Sequence, residues 1–406
     1  MNIKVIFIYL ILILSGCEFK DTNGTKSHTL VDKMQENSIG PSIENEIQDL
    51  KLKRDKSFGE TEDVFFSAMG DFTVDDSGRV YILDQGWGTR SLHVFNRDGS
   101  YLKKIAGEGR GPAEFLKATN LEYKNGKLIF FDSEQSRIFL YENDTYLKYS
   151  RNIMVNPTNW QHIEELAGHN PISFNILSNN SFLAGFVLPT TPANAEKSSI
   201  KFYKIDNEFE FISDKIFEFK PQKHVWSSQE RGLENVGVRL LKRFPFFEQS
   251  LIAISDDDHI FHARTNEFKI EEYDENGNFV GSFTYPLKTR LVTREDALKH
   301  TNKTTRDIGM KVNLPEKWPS LYQMFIDDID RLWVSSYSEV EDYLNWFVLE
   351  RNGKILYHFK WPGAMTSYPN SPSNKIIVKD GYLYTMETNK QSGSEEVIRY
   401  KFLSSH

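Results

Sequence analysis

The stretch FTVDDSGRVYILD at residues 72–84 and the stretch LHVFNRDGSYLKKI at residues 92–105 decide the fold of this chain. In each, a short apolar run leads into a polar turn that contains Asp and Gly, and a second apolar run follows. Such turn residues fit the positive φ angles of tight hairpins. The two stretches together predict four consecutive antiparallel strands joined by short turns.

The same four-strand pattern returns some six times, with loops of uneven length between the strands. The turns that mark the later units are Asn125-Gly126, Asn179-Asn180, Asp256-Asp257-Asp258, Asp327 to Asp330 and Lys379-Asp380-Gly381. Four-stranded units repeated in this way are typical of a β-propeller. We therefore predict an all-β fold, a six-bladed β-propeller with four-stranded antiparallel blades. A β-sandwich, or two small β-domains, is the alternative.

The sixth unit ends one strand short. A missing strand would leave an unpaired edge and an open ring. The segment from Ile47 to Leu52 alternates between apolar and polar residues and precedes the first unit. We predict that it supplies the outer strand of the last blade, so that an N-terminal strand closes the ring.

Several motifs resemble known propeller families. Residues 75–84 and 132–139 resemble NHL-type and TolB-like repeats. The Gly-rich sequence GEGRGPAEF at 107–115 and LPEKWP at 314–319 resemble links in six-bladed propeller lipoproteins of Bacteroidetes. This resemblance implies the fold and an extracytoplasmic compartment, but it implies no reaction and no particular ligand.

The N-terminus predicts export. Residues 5–14 form an apolar run too short to span a bilayer, and Leu14-Ser15-Gly16-Cys17 resembles a bacterial lipobox. We predict a signal peptide over 1–16, lipidation of Cys17 with attachment to the cell envelope, most simply the outer membrane, a flexible tether over 17–45 and a propeller over 46–406. An uncleaved apolar anchor with an incidental Cys is the alternative.

Composition excludes some functions. The formal net charge is −8 and the pI is near 5.8, which argues against a nucleic-acid partner. Cys17 is the only cysteine, so neither an intramolecular disulfide nor a Cys-based zinc site is possible.

The long loops are predicted to emerge on one face of the propeller, and rigidly supported loops often carry binding residues. Indole and guanidinium groups offer stacking area and hydrogen-bond donors. The candidate ligand-binding residues on this face are Trp87, Arg90, Arg110, Trp160, His162, His224, Trp226, Arg231 and Trp318. The alternative role for the Trp side chains is to pin the loops to the propeller.

The sequence contains no Gly-x-Ser-x-Gly elbow, no helical zinc motif and no Walker motif, so we predict no catalytic residue, metal or cofactor. The Asp clusters of the turns are interpreted as caps for their own backbone. The leading hypothesis is a non-catalytic binding or scaffold module that engages a glycan, peptide or envelope protein. The alternatives are a lactonase-like, metal-dependent hydrolase or lyase with ligands around the channel, and a structural subunit of an uptake complex.

Overall fold

In the computed structural model, the described residues are 48–403 except 63, 67, 87, 143–146, 192–193, 195–197, 231–236, 339, 341, 367 and 370. The predicted signal peptide, lipidation site and tether lie outside these residues and stay predictions. No helix among the described residues is long and apolar enough to cross a membrane.

The fold is an all-β ring of six four-stranded antiparallel sheets, which confirms the predicted six-bladed propeller. The chain enters through β1 (Gln48–Asp49) and β2 (Lys51–Phe58). Blade 1 consists of β3 (Met69–Val74), β4 (Val80–Asp84), β5 (Ser91–Phe95) and β6 (Tyr101–Glu108), with β7 (Glu114–Phe115) beside β6. Blade 2 consists of β8 (Ala118–Lys124), β9 (Lys127–Asp132), β10 (Arg137–Glu142) and β11 (Lys148–Met154).

Blade 3 consists of β12 (Asn170–Ile176), β13 (Phe182–Val187), β14 (Ile200–Ile205) and β15 (Phe211–Phe219). A hairpin of β16 (Val225–Glu230) and β17 (Gly237–Lys242) follows it. Blade 4 consists of β18 (Ser250–Ile254), β19 (Ile260–Arg264), β20 (Phe268–Tyr273) and β21 (Phe279–Tyr285). Two short helices follow, α1 (Arg294–Lys299) and α2 (Arg306–Lys311).

Blade 5 consists of β22 (Gln323–Ile326), β23 (Leu332–Tyr337), β24 (Tyr343–Leu349) and β25 (Ile355–Pro362). Blade 6 consists of β26 (Ile376–Lys379), β27 (Tyr382–Thr388), β28 (Glu395–Leu403) and, as its outer strand, β2. Short 3₁₀ turns lie at Pro157–Asn159, Glu164–Leu166 and Pro372–Asn374.

The ring is closed by a strand from the N-terminus, as predicted, but the predicted bounds were wrong. The outer strand is β2, which pairs antiparallel with β28 from Lys51 opposite Leu403 to Phe58 opposite Val397. Part of the predicted segment, β1, instead adds in parallel to β25 of blade 5. The sequence KLKRDKSF of β2 is mostly charged and exposed, as edge strands often are, so apolar alternation does not reveal it.

The second and third strands of blade 1 are buried on both faces because each blade packs against two neighbours. All five residues of β4 and all five of β5 are buried, whereas the outer β6 is largely accessible. Between β9 and β10, the rings of Phe130 and Phe139 stack with centroids 4.5 Å apart. Aromatic and β-branched residues therefore provide most of the core of each blade.

Asp residues in the first turns of blades 1 and 5 hold equivalent positions. Asp75 accepts hydrogen bonds from the backbone N–H groups of Ser77 and Arg79, and its other oxygen lies 2.6 Å from Nε of Arg79. The same carboxylate accepts from the Tyr81 hydroxyl at 3.0 Å. In blade 5, Asp327 repeats this pattern with Arg331 and with the indole N–H of Trp333.

The first strands of the blades line the central channel, where polar groups tie blades together. Oδ1 of Asp71 lies 2.7 Å from Nζ of Lys375, and its Oδ2 accepts from the N–H of Leu121 at 2.9 Å. Three blades therefore meet at one carboxylate. Glu122 similarly joins blades 2 and 3, because Oε1 accepts from the N–H of Ile176 at 3.1 Å.

Candidate functional site

The two ends of the propeller differ in the length of their connections. On one end, here called the bare face, all eleven turns between first and second or third and fourth strands contain two to five residues. The longest connections all lie on the opposite end: 155–169, 188–199, 220–249, 286–322 and 363–375. One end of the ring is therefore built up, and long loops on a rigid scaffold are a common place for binding.

Two of these connections form a single unit over blades 4 and 5. We call residues 220–249 and 286–322 the cap. The first segment contributes the hairpin β16–β17 and the second contributes α1 and α2, and α2 contacts both α1 and β16. At Gly309 of α2 an added Cβ would lie 2.7 Å from Cγ2 of Thr301 and 3.2 Å from the carbonyl oxygen of Ala297. This glycine allows the close approach of the two helices.

The cap has a hydrophobic core to which both segments contribute. Phe244 and Phe246 stack at 5.0 Å, and Phe246 meets the edge of Trp318 at 5.9 Å. The other buried members from the cap are Phe247, Ala297, Ile308, Val312 and Tyr322. The same cluster continues into blade 5 through Trp333 and Trp346, and into blade 6 through Val378 and Leu383. The cap is therefore packed onto the ring.

Hydrogen bonds fix the start of α1. Thr293 and Asp296 form a reciprocal capping box, in which each side chain accepts from the backbone N–H of the other residue. Asp296 also binds Arg290 through two bonds, 2.9 Å and 2.6 Å long. The guanidinium of Arg290 lies over the ring of Trp318 at 4.6 Å and over that of Tyr337 at 5.1 Å. This arrangement holds the second segment against blade 5.

The electrostatics of Asp296 follow from these contacts. Partial burial opposes ionisation of the carboxyl, but the hydrogen bonds from Arg290 and from both donors of Thr293 outweigh it. The pKa of Asp296 is consequently held well below its usual range. Asp296 stays charged at physiological pH and keeps the Arg290 contact intact.

A second polar contact joins the cap to the loop before blade 6. Nε of the buried Arg243 donates to Nε2 of His224 at 2.7 Å, and its guanidinium lies 5.2 Å from the ring of the exposed Tyr368. Burial first, and the charge of Arg243 second, lower the pKa of His224 to about 4. His224 is therefore a neutral acceptor at pH 7.

The cap is basic although the chain is acidic. Of the chain's 49 Lys and Arg residues 14 lie in the cap, which holds only seven of the 57 Asp and Glu residues. The eleven turns of the bare face show the reverse balance, with 17 Asp or Glu and five Lys or Arg. The exposed cap cations are Lys223, Lys288, Lys299, Lys303, Arg306, Lys311 and Lys317. The cap is thus basic, whereas the turns of the bare face are acidic.

Two of the tryptophan side chains that the sequence suggested as ligand-binding candidates are buried. Trp160 is 2% exposed and donates from Nε1 to the carbonyl oxygen of His169 at 3.0 Å, between Phe186 and Phe209. Trp318 is 4% exposed within the cap core. Both side chains pin loops to the propeller, and neither offers an open ring face to a ligand.

The remaining candidates do not converge on one place. Arg90 pairs with Glu108 at 2.9 Å on blade 1, Arg110 is exposed on the nearby Gly-rich link, and His162 is exposed on the link before blade 3. Trp226 lies in β16 of the cap. Trp87 and Arg231 lie outside the described residues.

Sequence reasoning missed the cap as a unit. Its core depends on the run FPFF at 244–247, which was not singled out, and its charge is hidden by the overall balance of −8. Counting charges separately for each long connection gives the signal, because both cap segments are basic on their own.

A metal site would need several donor side chains to converge. Among the described residues, no three His, Cys, Asp or Glu side chains come together in this way. The Asp clusters of the bare face are occupied by neighbouring protein groups: Asp258, for example, accepts from the N–H and the hydroxyl of Ser178. The alternative function as a metal-dependent hydrolase or lyase stays a prediction, and the described residues show no set of side chains that would bind the metal.

Comparison with known proteins agrees with this architecture. Residues 60–276 match the family DUF5128, described as a six-bladed β-propeller. The chain belongs to this family. No curated protein of known annotation matches the DUF5128 chain at a significant level.

Solved structures share the fold of the DUF5128 chain. A DUF4221 family member from Bacteroides vulgatus is 12% identical with a TM-score of 0.50, and the match covers 88% of this chain and 99% of that one. A Bacteroides fragilis protein whose name describes it as exported is 13% identical with a TM-score of 0.49, over 87% and 96% of the two chains. At such identity the first comparison supports the fold alone.

Proposed function

We propose that this protein is a non-catalytic binding propeller of the bacterial cell envelope, which is anchored through lipidated Cys17 and engages a glycan or partner protein through its cap. The observation that carries the proposal is that two separate insertions share one hydrophobic core, with Phe246 of the first against Trp318 of the second. A surface built in this way is ordered before a ligand arrives. Less conformational entropy is then lost on binding.

The position of the chain entry supports this use of the cap. β2 begins at Lys51, opposite Leu403 at the bare-face end of β28. We propose that the tether from Cys17 joins the propeller at this end. The cap lies on the end of the ring opposite this chain entry.

Steric blocking of each face in turn tests the proposal. Lys303→Cys places a thiol on the exposed surface of the cap, and Glu275→Cys places one on the exposed bare face. In the lipidated full chain Cys17 is acylated, so the new thiol is the only target for a polyethylene-glycol maleimide. Neither substitution removes a core contact.

The readout is retention of solubilised envelope carbohydrate and protein by the immobilised full chain. We expect the modified cap variant to retain at least tenfold less material than the unmodified protein, whereas the modified bare-face variant retains a similar amount. Equal retention by the two modified proteins, or loss only in the bare-face variant, would contradict the proposal.

A further inference from the structure

We infer that the cap recognises a polyanionic glycan, that is, a polysaccharide with repeated carboxylate or sulfate groups. The inference rests on the proposed function and names the class of ligand for the same surface. It is carried by the charge balance of the cap, with 14 Lys or Arg against seven Asp or Glu. Several of these cations are exposed and do not hold the cap together.

Two kinds of cation occur in the cap. Arg290 and Arg294 have structural partners: Arg290 binds Asp296, and Arg294 donates to the carbonyl oxygens of Gly309 and Val312 at 2.7 and 2.8 Å. In contrast, Lys303, Arg306 and Lys311 on and before α2 are exposed. All three lie on or next to a helix that is fixed in the cap core by Ile308, and they outnumber the one exposed acid of that helix, Asp307.

His300 reports the positive potential of the cap surface. Burial lowers the pKa of this imidazole first, and the charges of Lys242, Lys299 and Arg290 lower it further. The opposing effect of Asp296 is smaller than that of the two lysines. Apart from burial, the cations around this imidazole therefore outweigh the acidic side chain beside it.

The net charge of the molecule outside the cap favours some classes of polyanion over others as the ligand. Outside the cap, Asp and Glu outnumber Lys and Arg by 15, so a ligand that spreads beyond the cap is repelled. Duplex DNA carries one charge per ~1.7 Å of helix axis and is wide and stiff. A glycan chain has a lower charge density and can follow the cap alone. The balance therefore favours an acidic polysaccharide over nucleic acid.

The position of the chain entry argues against a lipid surface as the ligand. The described chain enters at the bare face, where 17 acidic residues occupy the turns. With the proposed anchor at Cys17, the end of the ring that carries the chain entry is the acidic one, which disfavours contact with anionic lipid.

Affinity measurements on the full chain in a nonionic detergent test the inference. The probes are polygalacturonate and heparin, with neutral dextran, duplex DNA and anionic lipid vesicles as comparisons. The cap variant is K303Q/R306Q/K311Q. The matched control is K53Q/K148Q/K360Q, which neutralises three exposed lysines on outer strands of three blades. Melting curves confirm that both variants are folded.

We expect at least one anionic polysaccharide to bind and dextran not to bind. The cap variant should lose about tenfold in affinity, since it lacks three exposed cations that contact the ligand, and the control should stay within about twofold. Absence of binding to both anionic polysaccharides, an equal loss in the control, or tighter binding to DNA or vesicles would overturn the inference. If envelope material is still retained and cap blocking still abolishes that retention, only the ligand class is wrong and the proposed function stands.

Discussion

Phe246 and Trp318 belong to different insertions, yet their ring centroids lie 5.9 Å apart with planes at 80°. This edge-to-face contact joins the link before blade 4 to the link before blade 5. Trp318 also lies beneath the guanidinium of Arg290. One indole therefore contacts both the hydrophobic core of the cap and the arginine that binds Asp296. The cap is thus a cooperative part of the propeller.

Removal of this indole should destabilise the protein. Trp318→Ala deletes a side chain that is 4% exposed, and such truncations cost about 3–5 kcal/mol. We expect the midpoint of urea unfolding to fall, with the cap segments exchanging amide hydrogens first. Ile329→Ala, at a 65% exposed position on the bare face, is the control and should change the free energy of unfolding by less than about 0.5 kcal/mol. Similar losses in the two variants would contradict this role of Trp318.

Helix contact within the cap gives a second prediction. Gly309→Val introduces a Cβ that would lie 2.7 Å from Cγ2 of Thr301, so α1 and α2 must separate. We expect faster amide exchange over residues 286–322, with exchange in blades 1 to 3 unchanged. Met310→Val, at a 53% exposed position of the same helix, is the control for placing a valine in α2. Unchanged exchange in the cap of the Gly309 variant would show that the helices do not pack as described.

Ring closure depends on β2 more than on β1. Deletion of residues 51–58 removes the partner of β28 and the buried ring of Phe58. We expect the melting temperature to fall by about 10 °C, since a loss of ~4 kcal/mol shifts a domain of this size by a few degrees per kcal/mol. Deletion of residues 48–49 should shift it by only one or two degrees. A larger effect from the shorter deletion would refute the assignment of the closing strand.

Much of the fold was predictable because the same turn chemistry recurs. The Asp-x-x-x-Arg pattern at Asp75 and at Asp327 caps equivalent turns in two blades, and a local pattern of this kind is visible in sequence. The bounds of β2 were not predictable from alternation, because only Leu52 and Phe58 of that strand join hydrophobic clusters. Pairing with a strand more than 300 residues away decides its position.

The candidate site was less predictable for a related reason. Trp160 and Trp318 were candidate ligand-binding residues, with pinning of the loops as the alternative. Each lies under its own loop, because a long loop must bury some apolar surface to be ordered. The sequence shows which residue types a loop contains, but it does not show which of these side chains face the ring. The net charge of a loop segment can still be read from the sequence, because lysines such as Lys303 lie at the surface whichever side of the loop faces the ring.

The channel carboxylate Glu122 should make stability depend on pH. Burial raises the pKa of Glu122 to about 7 against its ordinary 4.5, so the folded protein binds the proton more tightly than the unfolded chain. Between pH 4.5 and 7 this group therefore lowers the free energy of unfolding as the pH rises, by up to roughly 3 kcal/mol. Glu122→Gln should remove this loss. We expect the variant to be more stable than the parent at pH 8 and similar at pH 4.5, and the opposite order would contradict the buried position of the carboxyl.

His224 should make the stability of the fold depend on pH in the opposite direction. Its pKa is lowered to about 4 from an ordinary 6.5, so the unfolded chain takes up a proton that the folded protein resists. Stability from this group is present above pH 6.5 and is lost as the pH falls towards 4. His224→Gln keeps an acceptor for Arg243 without titrating, and chemical unfolding at pH 5 and pH 7 should show a smaller acid loss than in the parent. His162→Gln, at an exposed position, is the control.

Hydrogen exchange of the full chain with and without its solubilised envelope extract tests the central claim most directly. The account predicts slower exchange in residues 220–249 and 286–322, with the bare-face turns such as 255–259 and 274–278 unaffected. Protection of those turns, or no protection of either cap segment, would contradict the claim that the cap is the binding face.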